Sequence, residues 1–333
     1  MRLARRARAC GAGHVKQRKV FMSDRLRTTI LPLLAAFIWG IAFVAQKGNT
    51  VGSLTFNAVR SLVAFLFLLV VIAAVNCWRA KVKGMPTAGL LTGRTPDETR
   101  AIWIGGFCCG IALAGATFLQ QSGLDADTEA GKAGFLTAMY IVLVPVLGIA
   151  LKKKAPLNVW AAVVVAVAGL YLLCVDEGFS IRPSDLTVLT CSLVFAIQIL
   201  CVDHFSPQCN CLKLSCVQFL ACFIVSAAPA LIFEEISLPA IGESALPILY
   251  LGFFSSGVAY TLQILAQRNS NPAVVSLLMS MESVFSVLAG AVILGEVLSG
   301  REYAGCVLMA VAVVLAQLPA RKKDKAGEDI EPA

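Results

Sequence analysis

Residues 110–121 read GIALAGATFLQQ and residues 252–263 read GFFSSGVAYTLQ. Laid over one another at an offset of 142 residues, they put Gly110 on Gly252, Gly115 on Gly257, Phe118 on Tyr260 and Gln121 on Gln263. The match extends without a gap from about 105 to 174, where Leu136 meets Leu278, Gly148 meets Gly290, Ala168 meets Ala310 and Leu173 meets Leu315. Apolar identities are easily met by chance in an apolar chain, whereas glycines in register are not. Upstream, the stretch starting at Arg60-Ser61-Leu62 resembles the one starting at Gln218-Phe219-Leu220. The chain therefore reads as two copies of one unit.

Each copy is too apolar for water. Of 333 residues, 58% are hydrophobic and 14% charged, and the mean hydropathy is +0.80. A soluble domain carries roughly 45–50% apolar and about 25% charged residues. Apolar runs of bilayer-spanning length, about 20 residues each, fall at 30–47, 54–75, 101–120, 129–150, 157–175, 184–203, 212–233, 245–266, 272–294 and 302–319. They lack the alternation of a membrane β-barrel. The expected fold is an all-α polytopic membrane protein, ten transmembrane helices in two inverted five-helix repeats, 30–175 and 184–319. An odd number of helices per repeat forces the second copy to insert upside down, the architecture of many secondary transporters, whose substrate site lies near the midplane.

Charge sets the expected orientation. With the N-terminus in the cytoplasm, 23 of the 28 Lys and Arg residues fall on that side, and only Lys47, Arg182 and Arg301 fall outside. The external links carry acids instead: Asp125, Asp127, Glu129, Asp176, Glu177, Glu234, Glu235 and Glu243. This asymmetry places both termini in the cytoplasm. Residues 1–29 form a basic tail without the apolar core of a signal peptide, with Met22 as an alternative start, and 320–333 form a second tail.

Catalytic and metal chemistry find little footing. Most of the twelve cysteines sit in apolar runs, where a thiol packs as a small hydrophobe. Cys209 and Cys211 flank Asn210 in a link, and the only histidines are His14 and His204. That excludes HExxH zinc sites and most Ser-His-Asp schemes. No metal or cofactor is expected, and no nucleic-acid partner. Small residues every four positions, Gly106-Gly110-Ala114 and Ala130-Gly134-Ala138, let helix backbones approach closely in lipid.

Trp39-Gly40, Arg60, the 148–160 junction, Phe195-Ala196-Ile197-Gln198, Tyr260, Gln263, Glu282-Ser283-Val284-Phe285 and Leu294-Gly295-Glu296 occur in one order and spacing. In this set the chain resembles the drug/metabolite transporter superfamily, in particular its ten-helix EamA-domain family, over roughly 30–319. The resemblance implies export or exchange of small metabolites, amino acids or drugs across a bacterial inner membrane. One departure is that Lys153-Lys154 stand where the second half has Gly295-Glu296.

Polar residues inside helices are the candidates for function, because a charge in hydrocarbon costs about 2.5–3.5 kcal/mol on insertion scales. Glu282 lies near the middle of its run and is read either as a proton or cation site or as a structural hydrogen-bonding group. Gln218 and the hydroxyls of Tyr140 and Tyr260 are its candidate donors. Arg60, roughly 9 Å into its helix at 1.5 Å per residue, either binds an anionic group or snorkels to the interface. Lys132 is shallower. Trp39, Gln121, Tyr140, Gln198, Gln218, Tyr260 and Gln263 complete the substrate-pathway candidates, several combining an apolar face with a polar handle. The expected partners are a small-molecule substrate, the lipid bilayer and protons as coupling ion, with a homodimer as the alternative to a monomer. A nucleotide-sugar or sugar-phosphate exchanger and a membrane-embedded enzyme are the competing functions.

The orientation is tested by a C-terminal reporter active only outside the cytoplasm. Fused after Gln317, it should stay silent; robust activity there would overturn the even helix count.

Overall fold

The computed structural model describes residues 27–42, 51–84, 88–126, 130–153, 155–175, 182–295 and 297–318. Residues 1–26, Met22 included, and the 320–333 tail lie outside the described residues, as do Lys47, Asp127, Glu129, Lys154, Asp176, Glu177 and Glu296, whereas Arg27, Thr28 and Thr29, expected in the basic tail, open the first helix instead. Among the described residues there are helices and no strands, and nine helices are long and apolar enough to cross a membrane. A shorter apolar helix, α1 (Arg27–Ala42), precedes them. The nine are α2 (Ser53–Lys83), α3 (Pro96–Asp125), α4 (Lys132–Ala150), α5 (Leu157–Cys174), α6 (Pro183–Phe205), α7 (Cys211–Phe233), α8 (Ala245–Gln267), α9 (Pro272–Ile293) and α10 (Gly300–Gln317).

Helix ends follow capping chemistry, and α2 runs on past its apolar core to Lys83, where Gly84 closes it in the left-handed conformation. Thr95 accepts from Glu98 N ahead of Pro96, Asn210 caps α7, Asn271 precedes Pro272 in α9, and Ser299 with Glu302 forms a capping box on α10. Such residues satisfy first-turn amides that have no partner within the helix. The first turn of α2 is capped from another helix: the Glu234 carboxylate, just past α7, accepts from Leu54 N at 2.9 Å and Thr55 N at 2.8 Å.

That contact also sets direction. The start of α2 meets the end of α7, and Lys213 at the start of α7 donates to Gly89 O and Thr92 O beyond the end of α2, so the two helices are antiparallel. Asn158 at the start of α5 likewise donates to Leu315 O and Leu318 O at the end of α10. The most extensive packings, α5 with α10, α3 with α6, α2 with α7 and α3 with α7, all join the first half of the chain to the second.

Glycine makes these contacts close. A Cβ on Gly110 in α3 would strike Gln218 O and Ala221 Cβ of α7, and one on Gly252 in α8 would come within 2.5 Å of Val63 and 3.1 Å of Arg60 O in α2. Gly134 departs from the expected small-residue stripe, since a Cβ there meets nothing within 4 Å. Outward-facing Val70, Leu157, Leu246 and Val292 are 68–85% exposed, a surface suited to lipid.

Three of the spans are irregular. α4 is interrupted at Met139, and α9 at Ser280-Met281. At the two breaks Met139 N bonds back to Leu136 O and Met281 N to Leu278 O, one residue short of the α pattern. α8 is wound as a π-helix from Leu251 to Ala259.

Gly110→Ala should lower stability by about 1–3 kcal/mol through overpacking against a backbone carbonyl, whereas Gly134→Ala should be nearly neutral. Thermal unfolding in detergent checks both, and equal midpoints would refute the close α3–α7 contact.

Candidate functional site

The irregular helices surround a space of about 630 Å³, including its opening to solvent, lined by both halves of the chain. α1 contributes Trp39 and Ala42, α2 Arg60, α3 Thr117 and Gln120, and α4 Thr137 and Tyr140. From the second half come Phe195, Gln198 and Ile199 of α6, Ser255, Tyr260 and Gln263 of α8, and Met279 and Glu282 of α9.

Its two formal charges are Arg60 and Glu282. Arg60 Nε donates to Asn57 Oδ1 at 3.0 Å, and Asn57 in turn donates to Ser226 at 2.7 Å. Among the described residues no carboxylate comes within ion-pair distance of Arg60. Glu282 is buried and accepts one hydrogen bond, from the Tyr140 hydroxyl at 3.3 Å. Both partners open the second segment of a broken helix. They stand 142 residues apart, the offset of the sequence repeat, as do Thr137 and Met279 in the same wall and the breaks at Met139 and Met281.

An aromatic wall and an amide chain complete the lining. Trp39 and Tyr260 meet edge-to-face at 4.8 Å, and Trp39 Nε1 donates to Ser255 O at 3.2 Å. Gln263 donates to Gln198 Oε1 and Gln267 Oε1, both at 3.1 Å, Gln198 donates to Gln218 at 3.2 Å, and Gln267 donates to Ile199 O at 2.9 Å. Gln263 Oε1, buried at the cavity, has no protein donor among the described residues. A polar atom left so in a dry interior is costly unless a ligand or water meets it.

Of the sequence candidates, Trp39, Arg60, Tyr140, Gln198, Tyr260, Gln263 and Glu282 line this cavity. Gln218 stands one layer behind, bonded to Gln198 rather than to Glu282. Gln121 points elsewhere and donates to Asp125 at 3.0 Å, while its neighbour Gln120 faces inward and donates to Thr137 at 3.1 Å. The π-winding of α8 accounts for the shift. A wider turn holds more residues, so Tyr260 and Gln263 face the cavity where an α-helix in the register of α3 would present Ala259 and Leu262. The phase of α3, from Gly110 through Leu113 and Thr117 to Gln120, was the available signal for Thr117 and Gln120.

Lys132 lies outside the cavity, in a buried ion pair with Asp185. Lys153 pairs with Asp203, so α4 and the parallel α6 are joined at both ends. Partial burial pushes the Lys153 ammonium down from its ordinary value. The Cys209 thiol, pushed up to about 12 by burial, donates to Phe205 O at 3.4 Å.

A model of the EamA-like transporter family matches residues 26–175 and 182–318. An "Uncharacterized transporter" of Archaeoglobus fulgidus is 31% identical over 289 residues, covering 86% of this chain and 84% of that protein. One solved crystal structure, 19% identical, superposes with a TM-score of 0.70 over 89% of this chain and 98% of its own; this likeness speaks for the fold.

Lys132→Met should destabilise the protein by about 3–5 kcal/mol, because it strands a buried carboxylate. Lys132→Met combined with Asp185→Asn, which leaves an amide oxygen to accept from Arg182 N at the start of α6, should recover much of the loss. Unfolding midpoints of the single and double variants measure the coupling, and simple additivity would refute a buried pair.

Proposed function

The chain belongs to the EamA-like transporter family, and from that premise we propose a secondary transporter that carries a small amino-acid-like molecule, with both an ammonium and a carboxylate, through the central cavity by alternating access. The observation that carries this reading is the pairing of two oppositely charged side chains, Arg60 and Glu282, in one aromatic-lined chamber built from both halves. Arg60 receives the carboxylate. Glu282 receives the ammonium or a proton, in competition with the Tyr140 hydroxyl.

The same reading includes ten helices in two inverted repeats, with both termini in the cytoplasm of a bacterium. In its support, the sequence-equivalent helices α2 and α7 run antiparallel, as do α5 and α10. Gly110 abuts Gln218 O while Gly252 abuts Arg60 O, so the aligned positions exchange roles across the interface. Rocking one arrangement into its counterpart gives access to each side in turn. A nucleotide-sugar or sugar-phosphate exchanger fits less well, since several cations would be needed to clamp a phosphate and Lys132 is engaged by Asp185. An enzyme would require a reactive constellation at membrane depth, and Glu282 with Tyr140 supplies a hydrogen bond rather than a nucleophile and base.

Proteoliposome flux against a panel of zwitterions and their singly charged analogues, with and without a proton gradient, tests the proposal. Arg60→Gln should reduce transport of carboxylate-bearing cargo about 10- to 100-fold, the worth of a hydrogen bond to a charged group. Glu282→Gln should fold and insert but lose the pH dependence of flux. Normal transport by Glu282→Gln at two external pH values would exclude coupling through this residue; loss of thermal stability would assign it a structural role.

A further inference from the structure

A second concavity, of about 340 Å³, lies at the basic face of the bundle, remote from the central cavity. It is lined by Asn76 and Arg79 near the end of α2, Ala88, Gly93 and Arg94 of the following loop, Glu98 of α3, and Asn210 and Lys213 at the start of α7. Three cations and one carboxylate therefore face one space.

The positive charge there is poorly compensated. Lys213 is 6% exposed, and its ammonium donates to two backbone carbonyls, Gly89 O at 2.6 Å and Thr92 O at 2.7 Å. Carbonyls supply partial charge only, and an ammonium has three protons to place. The guanidinium groups of Arg79 and Arg94 have no ion-pair or hydrogen-bond partner among the described residues. The single carboxylate, Glu98, is already engaged, its Oε2 accepting from Arg94 N at 2.7 Å. The N-termini of α3 and α7 add partial positive charge to the same space.

We propose that this concavity is a phosphate-binding site, in which Arg79 and Arg94 clamp the oxygens of a phosphate group and Lys213 supplies the buried charge beneath it. Planar guanidinium groups match phosphate oxygens in pairs. Two sources present that chemistry at a membrane face, an anionic phospholipid headgroup and free phosphate. Trp78, Val82 and Leu90, which flank the site in sequence and are 45–66% exposed, give acyl chains an apolar surface and favour the lipid. Because Lys213 already holds the 88–95 loop to α7, an occupant would tie together α2, the loop and α7.

The purified full chain in detergent is titrated calorimetrically with short-chain phosphatidylglycerol, short-chain phosphatidylcholine and inorganic phosphate. Phosphatidylglycerol should bind best. Arg79→Gln and Arg94→Gln should each weaken it about fivefold, the worth of one basic side chain at an anionic surface. Lys81→Gln, an exposed cation on the same helix end, should change little. Binding of inorganic phosphate with the same arginine dependence supports the site and identifies free phosphate as its source. If Arg79→Gln unfolds, Arg94→Gln, at an exposed position, carries the comparison alone. Absence of binding by either phosphate source, binding indifferent to the arginines, or an equal loss in Lys81→Gln would overturn the proposal. Since the site lies outside the central cavity, its failure leaves the transport reading standing.

Discussion

Hydrocarbon offers no hydrogen bonds, and this one deficiency governs the whole molecule. Every polar group carried into the bilayer must be answered by another part of the protein. The backbone solves the problem with helices, and most buried side chains follow suit: Thr117 and Ser276 return their hydroxyls to their own helix, the glutamines bond one another, and Lys132 takes Asp185. Breaks in the backbone hydrogen-bond ladder are tolerable only where they face a cavity or protein. The breaks at Met139 and Met281 and the π-wound stretch of α8 all border the central chamber. Irregularity at these three places coincides with the site, whereas the π-wound end of α9, Gly290–Leu294, lies apart from it.

Much of the fold was legible because length and repetition are properties of sequence. The apolar runs from 129 onward end within a few residues of the observed helices, and the glycines that seeded the repeat, Gly110 and Gly252, sit in the contacts between halves. The site was legible where a polar residue interrupts an apolar run, as with Arg60 and Glu282. It was illegible where geometry rather than chemistry decides. Gln121 drew attention because it aligns with Gln263, yet winding rather than identity sets which glutamine faces inward, and nothing near 251–259 announces a π-helix. The break at Met139 contains neither proline nor glycine, so no residue in the string betrays it. Gly134 shows the converse: a small residue in the right rhythm with nothing packed against it.

Two equivalent contacts between the halves, α4 with α6 and α9 with α1, differ in mechanical character. Ion pairs join α4 and α6 at both ends, through Lys132–Asp185 and Lys153–Asp203. At the aligned positions of the second half stand Val274 and Gly295, so α9 has no such tethers there. It packs on α1 through Phe285, which lies against Phe37 and Gly40. Gly295 adopts a left-handed conformation, φ +71°, just after a π-wound end. One contact between the halves, α4 with α6, is thus braced by charge at both ends, while its counterpart, α9 with α1, is joined by apolar contact.

The hydrogen bond between Tyr140 and Glu282 bears on why the two halves are carried in one polypeptide. An assembly of two identical second halves would set one glutamate against another where the aligned positions meet, with no phenol to answer either and a repulsion relieved only by protonation. Two identical first halves would set tyrosine against tyrosine and hold no acid. Divergence of the two copies places one donor opposite one acceptor, so that among the described residues the central chamber holds a single carboxyl. Fusion, seen this way, fixed a stoichiometry that symmetric self-assembly could not reach.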